Sequence, residues 1–167
     1  MSLRARAVVF FTILVVTVAL DQGSKAWART LPAHPQPVIA GYWDWELASN
    51  RGAAFSSFEG IAGETGTQIV LSLIALGALI GVGVAASRTT EAQRLKRLAL
   101  ALIAGGALGN VIDRLREGAV TDFVRWKYHD HLWPIFNVAD AALLVGVVLL
   151  LVDGFSLATR PQRKLAT

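Results

Sequence analysis

No cysteine occurs among the 167 residues of this chain, which excludes a disulfide framework, a thiolate metal site and a thiol nucleophile. The chain is therefore not itself lipidated through a cysteine. Histidine is nearly as scarce: the sequence holds three, His34, His129 and His131, without the His-Glu-x-x-His spacing of a zinc protease. They read as polar loop residues, and neither a metal nor a cofactor is expected. Charge is sparse too, with 17% charged residues against 54% hydrophobic ones and a mean hydropathy of +0.50. These proportions describe a small integral membrane protein.

The net charge of +4 and the pI near 10.0 do not imply a nucleic-acid partner. The basic residues flank apolar spans instead of clustering on one polar face, so membrane lipid, anionic lipid in particular, is the expected counterpart.

Apolar runs cover residues 7–20, 67–86, 98–112 and 138–152, each extendable toward the ~20 residues that cross ~30 Å of hydrocarbon. The reading is a membrane α-helical fold with four transmembrane helices, near 6–27, 67–87, 95–115 and 137–156. Residues 28–66 and 116–136 form the outer regions of a single membrane domain over 1–167. Arg4 and Arg6 before a short apolar core imitate a secretory signal. That core runs into Asp21-Gln22-Gly23-Ser24-Lys25 rather than a small-residue cleavage site, so the first helix is expected to stay as an anchor. Arg88, Arg94, Lys96 and Arg97, together with Arg160, Arg163 and Lys164, fall on the same side as the first arginines. Both termini are therefore expected in the cytoplasm.

The outer regions contain alternating stretches, Tyr42-Trp43-Asp44-Trp45-Glu46-Leu47 and the run from Val120 to Tyr128, in which period two points to strands. A small extracytoplasmic sheet resting on the membrane is expected, with Trp43, Trp45, Trp126 and Trp133 at the water–lipid interface. Loops with interfacial anchors and no sheet are the alternative.

Acids near hydrocarbon cost roughly 2.5 to 3.5 kcal/mol on insertion scales, so each calls for a reason. Asp21 ends the first helix, Asp113 ends the third and Asp140 begins the fourth, so all three meet at the outer end. Asp122 in the intervening loop can fold back to them, with Asn50, Asn110, Arg114 and Asn137. Such one-sided polarity suits surface chemistry better than transport, whose acids lie near the midplane or along a path. Two aspartates sharing a proton can hydrolyse a peptide bond.

Local roles compete for several of these residues. Asp21 and Lys25 are an i, i+4 pair that could only steady a helix end, and Asp113 with Arg114 could be a terminal ion pair. Asn137 and Asp140 have the spacing of a capping box. Gly105 with Gly109, and Gly77 with Gly81, are assigned to close helix packing. Adjacent Ser24 and Lys25 point about 100° apart on a helix, which argues against a Ser-Lys protease. A proton-coupled transporter and a non-catalytic scaffold rank below a protease.

Taken in order, five blocks resemble the lipoprotein signal peptidases (signal peptidase II), the bacterial membrane aspartyl proteases. They are Asp21-Gln22-Gly23-Ser24-Lys25, Asn50-Arg51-Gly52-Ala53-Ala54-Phe55, the segment from Gly105 to Arg114, Val120-Thr121-Asp122-Phe123 and Phe136-Asn137-Val138-Ala139-Asp140. The resemblance implies removal of the signal peptide from diacylglyceryl-modified prolipoproteins just before the lipidated cysteine, with Asp122 and Asp140 as catalytic pair. It implies Asn50, Gly52, Asn110, Asp113, Arg114 and Asn137 around the substrate and Asp21 and Lys25 in support, while the Gly and small residues of the loop from Asn50 to Phe58 suit closure over the site. It further implies an inner-membrane enzyme with its site at the outer face, acting as a monomer on lipid-modified precursors, without nucleic acid, metal or cofactor.

Overall fold

The structure, a computed structural model, describes residues 2–51 and 56–158. Gly52 and the rest of 52–55 in the 50–58 loop, and the basic residues Arg160, Arg163 and Lys164, lie outside the described residues. The chain runs α1 (Leu3–Ala28), β1 (Gln36–Ile39), β2 (Trp43–Asn50), α2 (Ser56–Ser87), α3 (Arg94–Glu117), β3 (Val120–Tyr128), β4 (His131–Leu132) and α4 (Val138–Ala158). Four of these helices contain stretches long and apolar enough to cross a membrane. In α2 the helical range begins well before the apolar run, and two helical pieces meet at Gly63 (φ 69°, ψ 170°). That backbone region is open essentially to glycine alone, so Gly63 separates the leading turns from the span over residues 65–87.

The least apolar span, α3, is the central one. Its surface is covered by the other helices, so it can carry small and polar residues where the others must present Leu, Ile and Val to lipid. Ala99 and Ala101 are fully buried. A methyl group at Gly106 would sit 2.4 Å from the Ala139 carbonyl oxygen, and one at Gly105 would sit 2.6 Å from Thr17 Cβ. These glycines let α4 and α1 approach α3 at backbone distance. Gly77 and Gly81, read from sequence as a second packing pair, have no atom of the described residues within 4 Å of a would-be Cβ. They lie on an exposed face of α2, so i, i+4 spacing alone did not identify a contact.

The sheet is antiparallel in the order β1-β2-β3-β4. Paired Trp43 and Trp126, and Asp44 and Arg125, set the register between β2 and β3, which shifts between Trp45 and Ala48 and ends with Ala48 opposite Asp122 and Asn50 opposite Val120. Arg125 grips Glu46 with two hydrogen bonds of 2.8 and 2.6 Å. Trp27 at the end of α1 stacks edge-on against Trp45 and Phe123, anchoring the sheet to the bundle. At the start of β3 the expected in–out alternation gives way to burial of all of Val120, Thr121, Asp122 and Phe123. β2 pairs along one edge of this stretch, and α1 and α3 pack against it.

Two short devices bring the polar residues together. Gly118, at φ 68°, ends α3 with its N–H on the Arg114 carbonyl and turns the chain into β3. Phe136 then bonds back to Phe123 and Val124. Asn137 and the start of α4 are thereby strapped beside Asp122.

Candidate active site

Asn137 and Asp140 form the capping box that their spacing suggests. Asp140 N donates to Asn137 Oδ1 at 2.9 Å, and Asn137 N donates to Asp140 Oδ2 at 3.2 Å. Capping is not the whole role of Asp140, because its Oδ1 accepts from Asn110 Nδ2 at 2.8 Å. With Asn137 Oδ1 held by a backbone N–H, Asn137 Nδ2 is left to donate to Asp122 Oδ1 at 2.6 Å and to Asn110 Oδ1 at 3.2 Å. The other oxygen of Asp122 accepts from Asn50 Nδ2 at 2.9 Å.

Three amides thus hold two carboxylates, and the orientation of Asn110 comes from α1. Lys25 Nζ has only protons to give, so the oxygen of Asn110 must face it, at 2.9 Å. Asn110 Nδ2 is thereby turned to Asp140.

Lys25 also binds Asp21 at 2.9 Å and Asp113 at 3.3 Å, with its side chain fully enclosed. Asp21 is not at a frayed helix end: it accepts the Ala139 N–H at 2.9 Å, satisfying a donor of the first turn of α4. Asp113 accepts from Thr121 N at 2.9 Å, from Gln22 at 3.1 Å and from Arg29 at 3.3 Å. Its ion pairs are with Lys25 and Arg29, not with Arg114. Fully buried Asp113 therefore ties α3 to β3, one residue before Asp122, and its place is with Asp21 and Lys25 rather than on an open surface. Arg29 was missed in the sequence, and Gln22 and Thr121 stood in the matched blocks without a role. Asp21, Lys25 and Arg29 recur every four residues, so they share one face of α1, and that spacing was the available signal for Arg29.

Asp122 is only 2% exposed. Burial pushes its carboxyl up from 3.8 to about 6 against the donors on Asn50 and Asn137, the charge of Asp140 pushes the same way, and Lys25 pulls it back. Asp140 is half-buried. Arg114 feels the charges of Asp140, Asp122 and Asp113, and its enclosed Nε has no hydrogen-bond partner among the described residues. It also lines a cavity of about 370 Å³ with Arg51, Gln68, Ile69 and Leu115, between α2 and the end of α3. Among the described residues no cluster of three or more His, Cys, Asp or Glu side chains could hold a metal ion. Paired carboxylates, one with a raised pKa and both fixed by amides, can supply an acid and a base to one reaction.

The model of the signal peptidase (SPase) II family matches residues 13–156. A lipoprotein signal peptidase of Xanthomonas euvesicatoria pv. vesicatoria (strain 85-10) is 40% identical over 150 residues, covering 89% of this chain and 86% of the relative. One from Xylella fastidiosa (strain 9a5c) is 38% identical over 144 residues, covering 85% of each. A solved bacterial membrane enzyme superposes with a TM-score of 0.80 at 27% identity, over 95% of this chain and 94% of that one.

Proposed function

The chain belongs to the signal peptidase II family and is a membrane protease that removes the signal peptide from prolipoproteins, and from that premise we propose that Asp122 and Asp140 are its catalytic pair. The observation that carries the proposal is the amide bridge through Asn110 and Asn137, which holds both carboxylates side by side at one end of the bundle. Asp122, whose burial favours the neutral form, takes the shared proton, and peptide entry strips further water and strengthens that preference. Ionised Asp140 draws a proton from water as the water oxygen attacks the scissile carbonyl carbon, while Asp122 polarises the carbonyl. Collapse of the tetrahedral intermediate breaks the C–N bond, and the leaving amine takes a proton from the pair.

Supporting roles follow from position. Arg114, between the pair and the cavity, holds a substrate backbone carbonyl, and Asn50 and Asn137 orient the aspartates. Asp21, Lys25 and Asp113 form the buried frame. The whole of 1–167 acts as one membrane domain and as a monomer, without nucleic acid, metal or cofactor.

The substrate is the diacylglyceryl-modified precursor, cut before its lipidated cysteine, with the acyl chains left in the bilayer. Each buried methylene contributes roughly 0.8 kcal/mol, so the purified chain should cut lipidated precursor at least about a hundredfold more efficiently than the same precursor without lipid. Equal kcat/KM on the two precursors would overturn this recognition.

The pair faces outward from a bacterial inner membrane, with both termini in the cytoplasm; the basic connection between α2 and α3 supports this orientation. Ala92→Cys in that connection and Asp130→Cys after β3 are both at exposed positions. In intact spheroplasts an impermeant maleimide should label Asp130→Cys and spare Ala92→Cys. The reverse pattern means the orientation is inverted.

A further inference from the structure

A cleft of about 310 Å³ opens at the end of the bundle opposite Asp122 and Asp140, among the start of α1, the end of α2 and the first turn of α3. Its walls are apolar along Ala7, Phe10, Gly83 and Ala86, and Arg6 and Arg97 stand in its lining. Arg97 is only 3% exposed, yet among the described residues its guanidinium has one hydrogen bond, to the Thr90 carbonyl at 3.4 Å. Arg6 donates Nη1 to the Thr89 carbonyl, and its enclosed Nε has no partner among the described residues. Neither arginine has an ion pair there, although exposed Glu91 lies within electrostatic reach of Arg6.

The contrast with the other end of the bundle is informative. Lys25, equally enclosed, carries two carboxylates. A buried cation without an anion is costly, and a guanidinium fork matches phosphate oxygens.

We propose that this cleft binds an anionic phospholipid, with its phosphate on Arg97 and Arg6 and one acyl chain against Ala7, Phe10, Gly83 and Ala86. Basic pockets between membrane helices suit anionic headgroups. A free phosphate ion meets the arginines but leaves the apolar wall uncovered. A zwitterionic headgroup brings its own cation to two arginines. The assignment is independent of the peptidase reading.

Gly83 offers a test that leaves charge untouched. Among the described residues no atom lies within 4 Å of a Cβ placed there, so the backbone position admits a side chain, and the ring of Gly83→Phe is expected to occupy the cleft. Purified full-length chain in neutral detergent is titrated with phosphatidylglycerol, phosphatidylcholine or inorganic phosphate. Bound lipid is read by native mass spectrometry, and the unfolding midpoint and prolipoprotein cleavage are followed alongside.

One phosphatidylglycerol should bind per chain and raise the midpoint, with phosphatidylcholine and inorganic phosphate giving much less. Arg97→Gln and Gly83→Phe should each weaken lipid binding roughly tenfold or more, the former through loss of a charge-assisted contact. Both should retain cleavage in detergent. If Arg97→Gln does not fold, Gly83→Phe decides alone. Equal uptake of phosphatidylcholine, equal protection by inorganic phosphate, or wild-type lipid affinity in Gly83→Phe overturns the proposal.

Discussion

Asp122→Asn and Asp140→Asn should each lower prolipoprotein cleavage by about a thousandfold or more while leaving a folded chain, because each removes one member of an acid–base pair. Asn matches the shape of Asp at both places but accepts with one oxygen where each carboxylate accepts with two. At 122 its oxygen can accept from Asn137, which is fixed by its cap on α4, while its amide meets the Asn50 donor, so the Asn50 side chain has to turn. At 140 its oxygen can face Asn110. Since the pair acts as a unit, the double variant should be little worse than either single one. Near-normal turnover by either single variant, verified as folded and free of deamidation, would falsify the aspartyl mechanism.

The same Asp122 variant has a thermodynamic signature. Burial holds the folded carboxyl at about 6 against an ordinary 3.8, so between these values the folded chain keeps a proton that the unfolded chain has released. Its contribution therefore weakens folding as pH rises through that window, and the effect levels off above about 6. Unfolding midpoints taken across this range should show that decline in the wild type and lack it in Asp122→Asn. Identical pH dependence in the two proteins would mean that Asp122 is not the group with the raised pKa.

Lys25→Met is expected to have the largest effect on stability, with a loss of about 3 to 5 kcal/mol. The flexible apolar side chain fits the space but leaves Asp21 and Asp113, both fully buried, without their shared cation. It also leaves the oxygen of Asn110 with Asn137 alone, so the amide that serves Asp140 is held less firmly. Cleavage by the folded fraction should fall mainly in kcat, because the loss acts through the geometry of the pair. Adding Asp21→Asn should restore part of the stability lost, since one uncompensated charge is then gone. Thermal unfolding in detergent beside turnover separates the two effects. An unchanged midpoint in Lys25→Met would show that the ion pairs do not support the fold.

The membrane class and the polar cluster at one end of the helices were legible in the sequence, because apolar length and the places of Asp21, Asp113 and Asp140 on the first, third and fourth spans are local properties. Likewise the capping box of Asn137 and Asp140 depends on three residues' spacing within one helix start. Other assignments needed the assembled bundle. Asp21 caps α4 across 118 residues of sequence, and Asp113 turns inward to Lys25 and Arg29 rather than pairing with its neighbour Arg114. Gly105 meets Thr17 while Gly77, in the same spacing pattern, meets nothing. Helical periodicity fixes which residues share a face, whereas burial and the direction of each amide depend on which other helix covers that face. The sequence thus determined the class and the candidates at the membrane end, and tertiary contact decided which carboxylates are enclosed in the frame and which are held together for chemistry.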